Sequence, residues 1–194
     1  MNLKYTMGES MKKIVVGTCA VMLLMCIRVS AQNTAIDISG IVQQMTGGTT
    51  YFDQGKIEVK NFIGFGAGAG INFDNFNVNL DFLFGSSAIR SNNNFDIQVA
   101  GADINLEYQF LNYQITPLVF AGIGSVTFTD SYTGQGNIDE TDFSYNFGGG
   151  FRWTIAEKFY IKGVYRVTST KIAGTTDAIP FQGVSVGLGY IFPL

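Results

Sequence analysis

Apolar and polar residues alternate with a period of two along most of the chain beyond residue 32, the spacing of strands that show successive side chains to opposite faces of a sheet. From Val59 to Phe73 the odd positions are Val59, Asn61, Ile63, Phe65, Ala67, Ala69, Ile71 and Phe73, and the even positions between Gly64 and Gly70 are all glycine. The run from Phe76 to Gly85 repeats the contrast, with Phe76, Val78, Leu80, Phe82 and Phe84 against Asn77, Asn79, Asp81, Leu83 and Gly85. Between Asp142 and Ile155, Phe143, Tyr145, Phe147, Phe151, Trp153 and Ile155 oppose Ser144, Asn146, Gly148, Gly150, Arg152 and Thr154. Phe159 to Thr168, Val184 to Phe192 and Ile115 to Phe128 alternate in the same way, and Ala35 to Met45 does so more weakly. In the eighth run, Ala102 to Phe110 is regular, but Phe95, Ile97 and Val99 are one residue out of phase, which predicts a bulge near Ala100-Gly101.

The connections between these eight strands differ in length by end. Asp74-Asn75, Leu111 to Gln114 and Ala156 to Lys158 are short; Thr46 to Glu58, Thr129 to Thr141 and Lys171 to Pro180 are long and polar; Arg90 to Asn94 is intermediate. Short turns at one end and long loops at the other, with an even strand count, are the pattern of an all-β, eight-stranded antiparallel up-and-down transmembrane β-barrel. The turns then place both termini in the periplasm and the long loops outside the cell.

Composition decides which face is inside. Hydrophobic residues make up 46% of the 194-residue chain and charged residues 14%, against roughly 25% charged in an ordinary soluble domain. A soluble barrel would need Lys and Glu on its outer face. Here the polar face is mostly Gly, Ser and Asn, too bare to solvate an exterior and suited to a narrow lumen. The apolar face suits lipid. Tyr108, Phe110, Trp153 and Phe159, with Tyr190 and Phe192, gather near the short-turn end as an interfacial aromatic girdle.

Residues 1–31 read as a cleaved signal peptide. Lys12 and Lys13 precede the apolar stretch Ile14 to Ile27, and Val29-Ser30-Ala31 supplies a cleavage site, with Met11 as a candidate initiator. The mature domain is then 32–194. Cys19 and Cys26 fall within the removed segment, so the mature chain has no thiol. Cleavage leaves 8 basic and 14 acidic residues, a net charge of −6.

The C-terminal stretch Ser185-Val186-Gly187-Leu188-Gly189-Tyr190-Ile191-Phe192 resembles the insertion signal of bacterial outer-membrane barrels, with Ser185, Gly187, Tyr190 and Phe192 at its marked positions. Thr116 to Gly124 resembles a glycine strand common in the small eight-stranded (OmpA/OmpX-like) outer-membrane β-barrel family, with Leu118 where an aromatic is usual. Pro193 and Leu194 beyond the last aromatic are a departure from the family pattern. The resemblance implies the outer membrane of a Gram-negative-type bacterium. It also implies lipid and lipopolysaccharide as surroundings, and the barrel-assembly machinery as a partner during insertion.

Candidate chemistry is sparse. The chain has no His, which removes the commonest general base and metal ligand. No enzymatic activity, cofactor or metal is expected, and basic residues are too few and scattered for nucleic acid. Asp130, Asp139, Glu140 and Asp142 match no calcium-loop spacing. The inward face carries Asp81, Asp103 and Glu107 with Arg152, Lys162 and Arg166. Equal numbers of acids and bases predict a mutually neutralising plug, with Glu107 as the first partner for Arg152. The function expected is structural or surface-interacting. The alternatives are a small-solute or ion channel, and adhesion through loops carrying Tyr51, Phe52 and Tyr132 to an unknown ligand.

Overall fold

The computed structural model describes residues 34–47, 49–52, 55–59, 61–90, 94–110, 113–130, 138–170 and 178–194. The segment read as a signal peptide, with Met11, Cys19 and Cys26, lies outside the described residues, as does Tyr132. So do the side chains of Tyr51, Phe52, Asp130, Asp139 and Glu140.

Ten strand segments are present: β1 (Thr34–Thr46), β2 (Thr49–Phe52), β3 (Gly55–Val59), β4 (Phe62–Phe73), β5 (Phe76–Arg90), β6 (Asn94–Gln109), β7 (Ile115–Asp130), β8 (Ile138–Ala156), β9 (Phe159–Thr170) and β10 (Ile179–Pro193). Eight of them, β1 and β4 to β10, pair antiparallel in ring order. The β1–β10 ladder, from Ala35↔Pro193 to Thr46↔Gln182, closes the barrel. Closure matters in lipid because an open edge would leave backbone N–H and C=O groups without partners. These eight strands run from 12 to 19 residues. About 9–11 suffice to cross the hydrocarbon, so the longer ones exceed what a single crossing needs.

That extension is where sequence and structure differ. The stretch Thr46 to Glu58, read as loop, contains the β2–β3 hairpin, and β3 pairs with β5 at Glu58↔Arg90 and Val59↔Ile89. β7 continues to Asp130, and β8 begins at Ile138.

The bulge expected near Ala100-Gly101 is not there. The β5–β6 ladder runs in one register from Phe76↔Tyr108 to Arg90↔Asn94, and β6–β7 is equally regular. Val99 lines the lumen with Gly101 and Asp103. The phase never shifts; the inward face itself turns apolar in its upper part. The β8–β9 ladder carries a shift between Thr154 and Ala156, beside the Glu157-Lys158 turn. The Asp74-Asn75 hairpin closes with Asp74 at φ 52, a left-handed conformation that a short polar side chain tolerates.

Outward positions are apolar over most of each strand, with polar residues such as Gln44, Gln98 and Thr141 towards the long-connection ends. Phe65, Leu106, Phe147, Phe151, Val186 and Leu188 are all exposed. Inward positions are buried, and the inward glycines make room for them. A Cβ on Gly68 would lie 2.7 Å from Asp81 Oδ1 and 2.9 Å from Ser39 Oγ, side chains of the two strands that flank it. The bare glycine face is the space into which the neighbouring polar residues fold.

Candidate functional site

The lumen holds the chemistry of the described residues, and its charges fall into three groups. In the first, Arg166 on β9 reaches across to β5 and β6. Its Nη2 donates to Asp81 Oδ2 at 2.8 Å and its Nη1 to Asp103 Oδ2 at 3.1 Å. Asp81 and Asp103 are direct partners in the β5–β6 register, so one guanidinium bridges two carboxylates that would otherwise repel. Asn105 Nδ2 donates to Asp81 Oδ2 at 2.8 Å, and Ser144 Oγ to Asp103 Oδ1 at 3.3 Å. The planar fork of arginine suits such a bridge where a lysine would not.

In the second group, Lys162 Nζ donates to Glu107 Oε2 at 3.2 Å. Gln109 Nε2 donates to the other carboxylate oxygen at 3.0 Å. Glu107 is 2% exposed, and a carboxylate so buried is tolerated only when paired and hydrogen-bonded.

The third group centres on Asp37, fully buried on β1. Its Oδ2 accepts from Asn72 and Asn77, each at 2.7 Å, and its Oδ1 from the Tyr160 hydroxyl at 3.1 Å. Arg152 Nη1 lies 3.8 Å from Asp37 Oδ2 and donates to Asn72 Oδ1 at 3.0 Å. The Arg152 guanidinium stacks over the Tyr160 ring, 3.9 Å from its centroid. The sequence reading missed Asp37 and named Glu107 as the partner of Arg152. In the structure Glu107 belongs to Lys162, and Arg152 to Asp37. The signal for Asp37 was present: Asp37, Ser39 and Gln43 alternate with Ile36, Ile38 and Val42.

Asp81, Asp103, Glu107, Arg152, Lys162 and Arg166 are thus all brought into the lumen, but with Asp37 the acids outnumber the bases there. Among the described residues no group of three or more His, Cys, Asp or Glu is placed to hold a metal ion. Asp142, from the loop acids, is half-buried at the upper end of β8.

At the short-turn end, Tyr108 packs against Phe76 and Phe110, with ring centroids 5.0 and 5.2 Å away. Phe159, Tyr190 and Phe192 form a second cluster, at 4.9 and 4.6 Å. Trp153 is exposed on the outer wall. Ser185 and Gly187 lie inward on β10 beside this network, lining a small cavity with Lys162 and Arg166.

A closed eight-stranded barrel with an apolar exterior and a charged, hydrogen-bonded interior defines an outer-membrane barrel protein. The outer membrane protein beta-barrel domain matches residues 17–192, and the chain belongs to that family. Among solved structures, Neisserial surface protein A superposes with a TM-score of 0.64 at 11% identity, covering 80% of this chain and 96% of that one. Ail of Yersinia pestis, in complex with the heparin analogue sucrose octasulfate, gives 0.54 at 18% identity over 82% and 99%. OprG of Pseudomonas aeruginosa gives 0.54 at 14% over 84% and 97%. At such identities the likeness is one of fold. No curated protein sequence matches the chain.

Proposed function

We propose that the protein is a closed, non-catalytic barrel of the bacterial outer membrane whose role is structural or lies in contact through its long loops. The observation that carries this reading is the filled lumen. Arg166, Lys162 and Arg152 each meet an acid across the bore, and two cavities among the described lumen residues are only about 20 and 40 Å³. Eight strands leave an interior that side chains can fill, and here they do so with charges that hold one another in place.

In this reading residues 1–31 are removed on export and both termini face the periplasm. The Ser185, Gly187, Tyr190 and Phe192 pattern presents the last strand to the assembly machinery. Tyr108, Phe110, Trp153 and Phe159 lie at the periplasmic lipid interface, and lipopolysaccharide surrounds the outer half. The long connections remain free to meet a surface ligand.

The test is a planar bilayer recording on protein folded in lipid, with its heat-dependent gel shift as the control for folding. The closed reading expects no steady current. A steady single-channel conductance would make the channel the better account.

A further inference from the structure

The upper lumen is built differently from the charged part below it. Towards the ends joined by long connections the inward positions become apolar: Met45 on β1, Phe62 on β4, Leu83 on β5, Phe128 on β7 and Phe181 on β10 are all buried. Their rings do not stay with their own strands. Phe128 and Phe181 have centroids 6.1 Å apart, although β8 and β9 stand between their strands in the ring order. Phe62 meets Phe181 at 6.3 Å over the intervening β1. Three inward aromatic rings, from β4, β7 and β10, therefore meet within the bore.

The two parts differ in what they offer water. The cavity of about 40 Å³ in the upper part is lined mostly by apolar side chains, with Gln43, Asp103 and Thr168 as its polar members. The charged part holds a cavity of about 20 Å³ lined by Asp81, Asn105, Glu107, Lys162, Arg166 and Ser185, among others. Asn105 Oδ1 and Arg166 Nε, both buried, make no hydrogen bond with the protein. A space of that size with polar groups facing it suits a water molecule. The network can thus be wetted, while the three rings above it offer water no partner of their own.

We infer that the aromatic septum of Phe62, Phe128 and Phe181, backed by Met45 and Leu83, is the barrier that keeps ions and polar solutes out of the lumen from the long-loop side. It acts by narrowing and dewetting: an ion passing between the rings sheds its hydration and finds in Thr168 and Gln43 a poor replacement for it. The inference rests on the closed-lumen reading and locates the closure. The salt-bridge network stabilises the barrel, and the septum seals it.

Potassium leak from lipid vesicles carrying the folded protein tests this. Thinning the network with Lys162→Ala and Glu107→Ala should leave vesicles as tight as with the unmutated protein. Adding Phe128→Ala and Phe181→Ala should raise the leak by about tenfold or more, because the opening through the layer becomes wide enough to hold water. A leak from the network variant with its septum intact, or tight vesicles with all four substitutions, would overturn the septum. A leak through the unmutated protein would instead overturn the closed-lumen reading on which it rests. If the phenylalanine truncations do not give a heat-modifiable barrel, Met45→Gln and Leu83→Asn make the septum polar at nearly constant volume. In the network-thinned background the same leak is expected, and tight vesicles would again count against the inference.

Discussion

Tyr160 and Gly189 face one another across the β9–β10 ladder, and the phenol ring fills the space a side chain at residue 189 would need. From that position the ring supports the Arg152 guanidinium and its hydroxyl donates to Asp37. A missing side chain on one strand thus sets the geometry of the charges in the lower lumen. Gly189→Ala should cost about 1–3 kcal/mol through overpacking against the ring. In a Tyr160→Ala background the same change should cost much less. Trp153 is the single tryptophan of the chain, so its fluorescence during urea unfolding in lipid reads both costs.

Arg152 should couple to Asp37 more strongly than to Glu107. A cycle of Arg152→Met and Asp37→Asn should show an interaction of about 0.5–3 kcal/mol. The Arg152–Glu107 cycle should come out smaller, because Lys162 holds Glu107. Equal couplings would mean that the three groups behave as one delocalised network.

The strands and their faces were legible in the sequence because a barrel wall between lipid and a polar lumen imposes a strict period of two. The six charged residues were placed inward by that period alone. Their partners were not, since alternation gives a face but not a height. Which acid meets Arg152 depends on the closing β1–β10 register and on the tilt of strands across the bore. Asp37 sits on the strand with the weakest alternation, and its role appears only once that strand is closed into the ring. The bulge near Ala100-Gly101 was misread for a related reason. Apolar Val99 was assigned to lipid, whereas at the upper end of the lumen it belongs inside with Phe62, Phe128 and Phe181.

An arginine placed on the outer wall should be costly. Leu80, Phe147 and Val186 are exposed apolar residues on β5, β8 and β10, and Arg at any of them should destabilise the barrel by about 2–4 kcal/mol near the midplane. Denaturant unfolding in lipid vesicles measures this. Unchanged stability at all three positions would contradict the assignment of that face to lipid.

Orientation is open to a labelling experiment, since the only cysteines, Cys19 and Cys26, precede the proposed cleavage site. A membrane-impermeant thiol reagent should label Gly134→Cys in intact cells, and Asn75→Cys only after the outer membrane is opened. The reverse pattern would place the short turns outside.

Whether the lumen charges hold one another in place is tested most directly at Arg166, between Asp81 and Asp103. Arg166→Met leaves two buried carboxylates side by side and should cost about 3–5 kcal/mol if the site is dry. With Asp81→Asn and Asp103→Asn already present, the same substitution should cost a small fraction of that. The measurement is the set of unfolding free energies in lipid for the four combinations of Arg166 and the acid pair. Recovery of most of the loss in the triple variant is the predicted result; strictly additive losses would contradict it.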